Sequence, residues 1–317
     1  MRIARLIGVR IVTMTMVLLI ISAIVFFGNE VGGGDAASTL LGIEATPELV
    51  AVWQKKFGLD RPLPVRYFDW LGDLVRGDLG MSMSFQQYPI SEMVWPKLKN
   101  SFYLGSISFI IAIPIAVFFA VIAAVYRYRW PDHLISTFTL VNLGLPTFVV
   151  GPALLIVFVL FWPLLPAVQF IERADSFLDY LKIFVLPVTT IVLAISVFKV
   201  RLLRDNLIEV LESDYVQMAH LKGMPLYRVV FFHALPNALV PTMNVFALTL
   251  PILIGGSLIV EIVFSYPGVG KMLFTAVETR DTRLIELGVM LSAFAYALGN
   301  LIADILGIFL VPRLRTA

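Results

Sequence analysis

Residues 213–238 read SDYVQMAHLKGMPLYRVVFFHALPNA and separate two apolar runs, at about 181–200 and 238–263. The stretch predicts two short helices joined at Gly223. Glycine suits the left-handed backbone at which many helices end, and a proline just beyond it, here Pro225, cannot continue the helix. The segment is therefore expected to be a helical, amphipathic loop with a hinge at its glycine.

The apolar residues of this loop fall into two groups. Val216, Ala219 and Leu221 are expected to form a small apolar face on the first helix, where small side chains would let another protein's groove approach closely. Residues 229–232 form an apolar block on the second helix. Such a loop can lie on a membrane surface, pack against its own bundle or dock into a partner's groove. The residues alone leave these three alternatives open.

The composition indicates lipid as the solvent. Hydrophobic residues make up 59% of the 317 residues and charged residues only 15%, whereas soluble domains carry about 25% charged residues. The mean hydropathy is +0.90. A net charge of +2 without a basic stripe gives no sign of nucleic-acid binding. The lack of cysteine excludes disulfides, thiolate metal sites and a cysteine nucleophile.

Six apolar runs approach the roughly 20 residues that a helix needs to cross a bilayer. They lie at about 7–27, 102–126, 134–162, 181–200, 238–263 and 287–311. A cleaved signal peptide is the alternative for the first run, but its apolar region would span about 7–15 residues and end at a small-x-small site. This run is longer and ends in Phe26-Phe27, which favours an uncleaved first span.

The arginines near span ends predict the orientation, because cytoplasmic loops are enriched in Lys and Arg. They flank the N-terminus, the connection between the second and third spans, and the C-terminus: Arg2, Arg5, Arg10, Arg127, Arg129, Arg313 and Arg315. With six spans these segments share the cytoplasmic side with the loop 201–237. Residues 28–101, 163–180 and 264–286 are expected on the opposite side.

The loop resembles the EAA loop of ABC-importer permeases. Aligned at Gly223, the triplet of that pattern falls on Gln217-Met218-Ala219 and its end on His233-Ala234-Leu235-Pro236, at the correct spacing. The Glu, the first Ala and the Ile of the pattern are absent. The segment is similar instead to the oligopeptide, dipeptide and nickel branch, in particular its dipeptide-permease B-type subunit. The matching residues are Asp214, Tyr215, Ala219, Lys222, Gly223, His233, Ala234, Asn237 and Ala238.

The resemblance extends over nearly the whole chain. Residues 57–63 and 77–82 look like the branch's outer segment after the first span. The fifth span and the external loop after it are matched by 255–257, Glu261, Phe264, Pro267, Gly268, Gly270, Arg280 and Asp281, and the last span and tail by Asn300, Asp304, Pro312 and Arg313.

The resemblance implies an all-α, polytopic fold with six transmembrane helices, the type I ABC-importer permease fold, and an extra periplasmic segment after the first helix. Residues 1–100 would hold the first helix and that segment, and 101–317 a five-helix core with a coupling loop at 205–237. The coupling residues would be Asp214, Tyr215, Ala219, Lys222, Gly223, Leu235 and Pro236.

The family resemblance also implies partners. They are a second homologous permease subunit, two ATP-binding subunits and a periplasmic solute-binding protein. ATP and Mg²⁺ would bind to the partner subunits, so that this chain needs no cofactor and is not an enzyme. The cargo would be a peptide or a similar small solute, and the protein would lie in a bacterial inner membrane with both termini cytoplasmic.

Other features suggest weaker alternatives. Asn300 and Asp304 are polar residues within the sixth span, and Asp304 could be the coupling carboxylate of an ion-driven secondary transporter. Glu261 is expected near the outer end of the fifth span, where it could meet solvent or a docked binding protein. Residues 268–272 lack the first Gly and the hydroxyl residue of a phosphate loop, and the three histidines have no metal-ligand spacing.

Overall fold

The computed structural model describes residues 2–33, 46–84, 88–166, 176–249, 251 and 257–310. This part of the chain is helical, and its only β-type pairing is an isolated bridge between Met81 and Pro89. The chain forms two compact units, one of residues 1–101 with 267–297 and the other of 102–266 with 298–317.

Thirteen helices are named here among the described residues. They are α1 Arg2–Gly33, α2 Pro47–Phe57, α3 Leu63–Arg76, α4 Ile90–Val125, α5 Trp130–Gly144, α6 Thr147–Leu155, α7 Phe177–Leu211, α8 Asp214–Leu221, α9 Leu226–Arg228, α10 Leu235–Ala247, α11 Leu258–Val263, α12 Val269–Glu278 and α13 Thr282–Leu310. A π-helical stretch, Ile156–Phe161, continues α6, and a second one, Val229–Ala234, joins α9 to α10.

Four helices are long and apolar enough to cross a membrane. They include Ile7–Glu30, Ile90–Val125, Phe177–Leu211 and Thr282–Ile305. The pair α5 and α6 meets the same criterion together, but it is bent by 108° at its break and counts as a fifth span only if both parts cross as one. The prediction of an all-α, polytopic membrane protein is thus confirmed.

The predicted fifth span, at about 238–263, is not one continuous helix. α10 ends at Ala247 and α11 begins at Leu258. Residues 250 and 252–256 lie outside the described residues, and so does most of the predicted glycine motif at 255–257. The total of six spans stays a prediction. The tail motif at Pro312-Arg313 also lies outside the described residues.

Helix α7 is the centre of the unit formed by 102–266 and 298–317. It contacts α5, α6, α8, α10 and α11. Buried alanines of α4 pack into the same core as the α7 side chains Val200, Leu203 and Leu207. In lipid the hydrophobic effect does not drive helices together, so they associate through van der Waals packing. Small residues allow the close approach that this packing needs. The buried residues of this core on α4, at the end of the second π-helical stretch and at the start of α10 are Ala116, Ala120, Ala123, Ala124, Ala234, Leu235 and Ala238.

The other unit has its own core at the start of α4 and around α12. Ile90 and Val94 pack with Met272 and Ala276 of α12, and Leu284 and Leu287 of α13 complete the cluster. The approach of α12 to α13 is close, because a Cβ added at Gly288 would lie 2.9 Å from the Leu273 side chain.

Candidate functional site

The hinged segment begins directly after α7. Leu211 is the last residue of that helix, and Ser213 has the extended backbone of a helix N-cap, with φ −71° and ψ 150°. The side chain of Gln217 donates from Nε2 to the carbonyl of Glu212 over 3.0 Å. Only two residues therefore separate α7 from α8, so α8 is tied closely to the central helix of its unit.

The predicted break at Gly223 is present and has the hydrogen bonds of a Schellman motif. Gly223 has φ +77°, and its N–H donates to the carbonyl of His220 over 2.9 Å. The N–H of Met224 reaches the carbonyl of Ala219 over 3.3 Å. Met224 also packs against the cluster of Val216, Ala219 and Val229, which gives the motif its usual apolar contact.

The apolar face of α8 differs from the predicted one. Val216 and Ala219 are buried within the protein's own structure, whereas Leu221 is 81% exposed. Leu221 follows Ala219 by two residues, which places it about 200° around a helix with 3.6 residues per turn. The prediction that these three residues share one outward face is wrong. The outward apolar residues are Tyr215, Met218 and Leu221, at intervals of three.

The apolar block of the second arm is also divided. Val229 and Val230 are buried, whereas Phe231 and Phe232 are 52% and 71% exposed. All four belong to the π-helical stretch that leads into α10. The segment therefore uses half of its apolar residues as its own core and presents the other half outward.

Three residues of the family motif connect the two arms of the segment. The side-chain amide of Asn237 donates to the hydroxyl of Tyr215 over 3.0 Å and to the carbonyl of His233 over 2.8 Å. The Tyr215 hydroxyl donates to the same carbonyl over a longer 3.4 Å. α8 is thus linked to the start of α10 by side chains as well as by the hinge.

The remaining predicted coupling residues differ in burial and in their position along the helices. Asp214 is exposed in the first turn of α8, where a carboxylate is favourable to the helix dipole. Lys222 is the exposed C-cap residue of α8. Leu235 is buried in the core with α7, and Pro236 beside it is exposed.

A buried ion pair lies in the same unit, and the sequence did not predict it. Arg204 of α7 donates from Nε and from its second terminal nitrogen to the two oxygens of Asp132, each over 2.7 Å. Asp132, only 2% exposed, also accepts the N–H of Tyr128 over 2.9 Å and the hydroxyl of Ser136 over 3.1 Å. Bidentate pairs of this geometry are among the strong charge-assisted hydrogen bonds. The pair holds the start of α5 against α7.

A second ion pair follows the first toward α8. Arg127, in the turn between α4 and α5, donates to the carboxylate of Glu212, the residue that ends α7. Arg204 and Glu212 are eight residues apart, or about 12 Å along a helix. The turn between α4 and α5 is therefore fastened at two points to the part of α7 that precedes α8.

In the other unit, the predicted external loop at Arg280-Asp281 contacts the predicted outer segment at 77–82. Asp281 is fully buried just before α13 and accepts the N–H of Leu284 over 3.1 Å, as a helix N-cap does. Its carboxylate also accepts the hydroxyl of Ser82 and, over 3.1 Å, the N–H of Ser84. Arg280, next to it, has a positive φ of 52°. The predicted external-loop residue Asp281 thus clamps the outer segment that ends at Ser82.

The turn before α12 is held in a similar way. The side-chain amide of Asn100 donates to the carbonyl of Pro267 over 2.9 Å, and the Ser101 hydroxyl accepts the N–H of Val269 over 2.9 Å. Gly268 is the N-cap residue of α12, and Gly270 is buried in its first turn.

Two buried polar groups lie in the core of the larger unit. Glu261 is 1% exposed and accepts the Ser257 hydroxyl over 2.6 Å, so the expectation that it meets solvent is wrong for this structure. Burial and the nearby Glu261 raise the pKa of Tyr266. Lys199 on α7 is 3% exposed and donates to the carbonyl of Ile195.

The polar residues predicted in the last span are half-buried on α13, at Asn300 and Asp304. Within the described residues no group of three or more His, Asp or Glu side chains is placed to hold a metal ion.

Comparison with known proteins identifies the family of the chain. Residues 93–316 match the model of the family described as "Binding-protein-dependent transport system inner membrane component", and residues 3–121 match its N-terminal counterpart. The glutathione transport system permease protein GsiC of Salmonella typhimurium is 33% identical over 298 residues, which are 94% of each chain. The probable peptide ABC transporter permease protein y4tP of Sinorhizobium fredii is 29% identical over 306 residues, 96% of this chain and 97% of the relative. The chain belongs to the family of binding-protein-dependent transport system inner membrane components and is a multi-pass permease subunit of an ABC importer.

Proposed function

We propose that this chain, together with a second homologous permease subunit, forms the path through which peptides or similar small solutes enter a bacterial cell. A periplasmic solute-binding protein delivers the cargo, and two ATP-binding subunits hydrolyse ATP. The names of the relatives, a glutathione permease and a probable peptide permease, support this class of cargo. ATP and Mg²⁺ belong to the partner subunits, and this chain carries no cofactor.

The observation that carries the proposal is the division of α8 into two faces. Val216 and Ala219 fix the helix to its own unit, and Tyr215, Met218 and Leu221 point outward. A contiguous row of exposed apolar side chains with polar residues at its edge is the kind of surface at which proteins bind a partner. This row is the surface that docks into a cleft of an ATP-binding subunit, and Lys222 beside it adds a positive charge to the rim.

A movement of α8 is transmitted to the membrane-spanning helices through its contacts with α7 and with the start of α10. The coupling residues Asp214 and Gly223 bound α8, while Leu235 anchors the second arm in the core with α7. A displacement of α8 therefore moves α7 and α10 together, because the packed core does not deform continuously. ATP binding and release favour the inward-open and outward-open states unequally. This difference in free energy is sufficient to couple ATP hydrolysis to transport.

The proposed topology has six spans, with both termini in the cytoplasm and the hinged segment on the same side. α10 and α11 contribute the fifth span, and both contact α7. Residues 1–100 form the first helix with a periplasmic segment, and 101–317 form the permease core. The external loop, with Pro267, Gly268, Gly270, Arg280 and Asp281, faces the binding protein.

A reconstituted system tests the proposal. The complete complex is placed in proteoliposomes, and uptake of labelled dipeptides and of glutathione is measured with ATP inside and binding protein outside. Uptake that needs ATP and survives a protonophore supports the importer. Uptake that collapses with the proton gradient at constant ATP, and that Asp304→Asn also abolishes, would establish the secondary transporter instead.

A further inference from the structure

Helix α3 is divided lengthwise into three strips. Tyr67 is buried, and Trp70, Leu71 and Leu74 beside it are half-buried. A second strip is apolar but exposed: Val65, Phe68 and Val75 are 46%, 69% and 81% accessible. These three residues follow intervals of three and seven, so they share one side of the helix. The third strip is charged and lies about 120° around the helix from the exposed apolar one.

The buried strip packs against α1 within the apolar stretch Ile7–Glu30. The hydroxyl of Tyr67 lies 2.8 Å from that of Ser22. The Phe26 ring centroid is 5.5 Å from that of Tyr67 and 5.7 Å from that of Trp70. α3 is therefore attached to the side of a membrane-spanning helix and not to the chain beyond its end.

The hydrogen bond to Ser22 sets the depth of α3. Ser22 precedes Phe27, the last residue of the uninterrupted apolar run, by five residues, or about 7.5 Å of helix rise. A helix that lies in a membrane interface has its apolar face about 5–10 Å into the boundary between headgroups and acyl chains. The contact with Ser22 thus holds α3 at the depth of that boundary.

The charged residues of α3 are paired or exposed to solvent, as a helix at a membrane interface requires. On the polar strip Arg66 pairs with Glu30 at the end of the α1 apolar stretch, and Asp69 pairs with Arg61 over 2.7 Å. Asp73 lies on the same strip and is exposed. The ionised groups of α3 thus lie near the end of the apolar stretch or in water.

The stretch of α1 that α3 contacts also carries exposed apolar side chains, as a helix that crosses a membrane does. Ile20 and Ile24 on α1 are 54% and 66% exposed within the apolar stretch of that helix. We propose that α3 is an interfacial helix whose strip of Val65, Phe68 and Val75 lies in the phospholipid leaflet at the C-terminal end of the α1 span. The inference needs only that α1 crosses the membrane, and it does not depend on the cargo or on ATP coupling.

The chain has no cysteine, so an introduced cysteine is the only one in this chain, and it is labelled before the chain is assembled with its partner subunits. Variants Phe68→Cys and Val75→Cys probe the apolar strip, and Asp69→Cys and Asp73→Cys are the matched controls on the polar strip of the same helix. Each is spin-labelled in the complete complex, in nanodiscs of phosphatidylcholine and phosphatidylglycerol. Collision rates are measured with oxygen, which concentrates in lipid, and with a water-soluble nickel chelate.

The ratio of oxygen to nickel collision rates is expected above one at Phe68 and Val75 and below one at both controls. A ratio below one at all four positions would overturn the proposal, because the strip would then face water. Low rates with both reagents at Phe68 and Val75 would also overturn it and would show a protein neighbour instead. ATP-dependent uptake by the same labelled complexes reports separately on the proposed transport function.

Discussion

Replacing Gly223 should loosen the hinge through its backbone angle and not through bulk. Its φ is +77°, and a Cβ built at this position meets no atom within 4 Å. The cost of Gly223→Ala is therefore the cost of a left-handed L-residue, about 1–2 kcal/mol. Asparagine tolerates this region better than other side chains, so Gly223→Asn should cost less and is the matched control.

The effect can be measured locally in the isolated chain. The hinge is closed by the N–H groups of Gly223 and Met224. A loss of 1–2 kcal/mol corresponds to an increase of about 5–30-fold in the population of the open hinge. Hydrogen exchange at these amides should accelerate by that factor in Gly223→Ala and by less in Gly223→Asn. Gly223→Leu should resemble Gly223→Ala, because the space around the Cβ is open.

Two results would refute this reasoning. Equal exchange rates in the wild type and in Gly223→Ala would show that the left-handed backbone is not a constraint. A leucine variant far worse than the alanine variant would show that bulk matters, and thus that the space beside Gly223 is filled. Exchange at residues of α12, in the other unit, serves as the internal control and should not change.

Three further predictions concern the polar contacts. Asp132→Asn removes the carboxylate that Arg204 binds through two nitrogens and leaves Asp205 as the charged partner of the guanidinium. Stability should fall by about 1–3 kcal/mol, and adding Arg204→Gln should recover part of this loss in a double-mutant cycle of thermal unfolding. Asp281→Ala removes a helix N-cap worth about 0.5–2 kcal/mol and also the acceptor of the Ser82 hydroxyl and the Ser84 N–H, so its cost should exceed that of the cap alone. Asp281→Asn, which can still accept the hydrogen bond at the cap, should cost less in the same assay. Tyr215→Phe removes one exposed hydroxyl and should cost at most about 1 kcal/mol; the loss should be smaller when Asn237→Ala is already present, because the shorter of the two hydrogen bonds of this hydroxyl is then already absent. A full additive loss in that last pair would show that the bond is not formed.

The sequence was informative where local chemistry decides the structure. Gly223 followed by Pro225 predicted the break between two helices, because only a few residues suit a left-handed helix end. Long apolar runs predicted α1, α4, α7 and α13, since a span needs little more than length and hydrophobicity. Both signals lie in one continuous segment of the chain and do not depend on which other segments pack against it.

Two predictions about side-chain exposure were wrong. One did not apply the helical period, and the other depends on a contact that the sequence does not show. Leu221 was grouped with Val216 and Ala219 because all three are apolar, yet the helical period places it on another side. The period was available in the sequence, and the outward set at intervals of three could have been found by applying it. The sequence predicted that Glu261 could meet solvent, because no sequence signal shows that α11 packs its carboxylate inward against Ser257.

The pairing of Asp132 with Arg204 could not have been read from the sequence. The two residues are 72 positions apart, and each has an ordinary local explanation as a charge near a span end. Only the packing of α5 against α7 brings them together. The same holds for Ser82 and Asp281, whose segments had both been matched to the family but not to each other.

Cross-linking from the outward face of α8 tests the coupling proposal most directly. A photoreactive cross-linker is attached to a single cysteine of this chain in the complete complex, at Met218 or Leu221, and at Asp73 of α3 as an exposed control in the proposed periplasmic segment. Met218 and Leu221 are expected to cross-link to an ATP-binding subunit in high yield, with a yield that changes when ATP is added, whereas Asp73 is expected to give no such product. Cross-links from Met218 and Leu221 only to lipid or to the permease itself would contradict it.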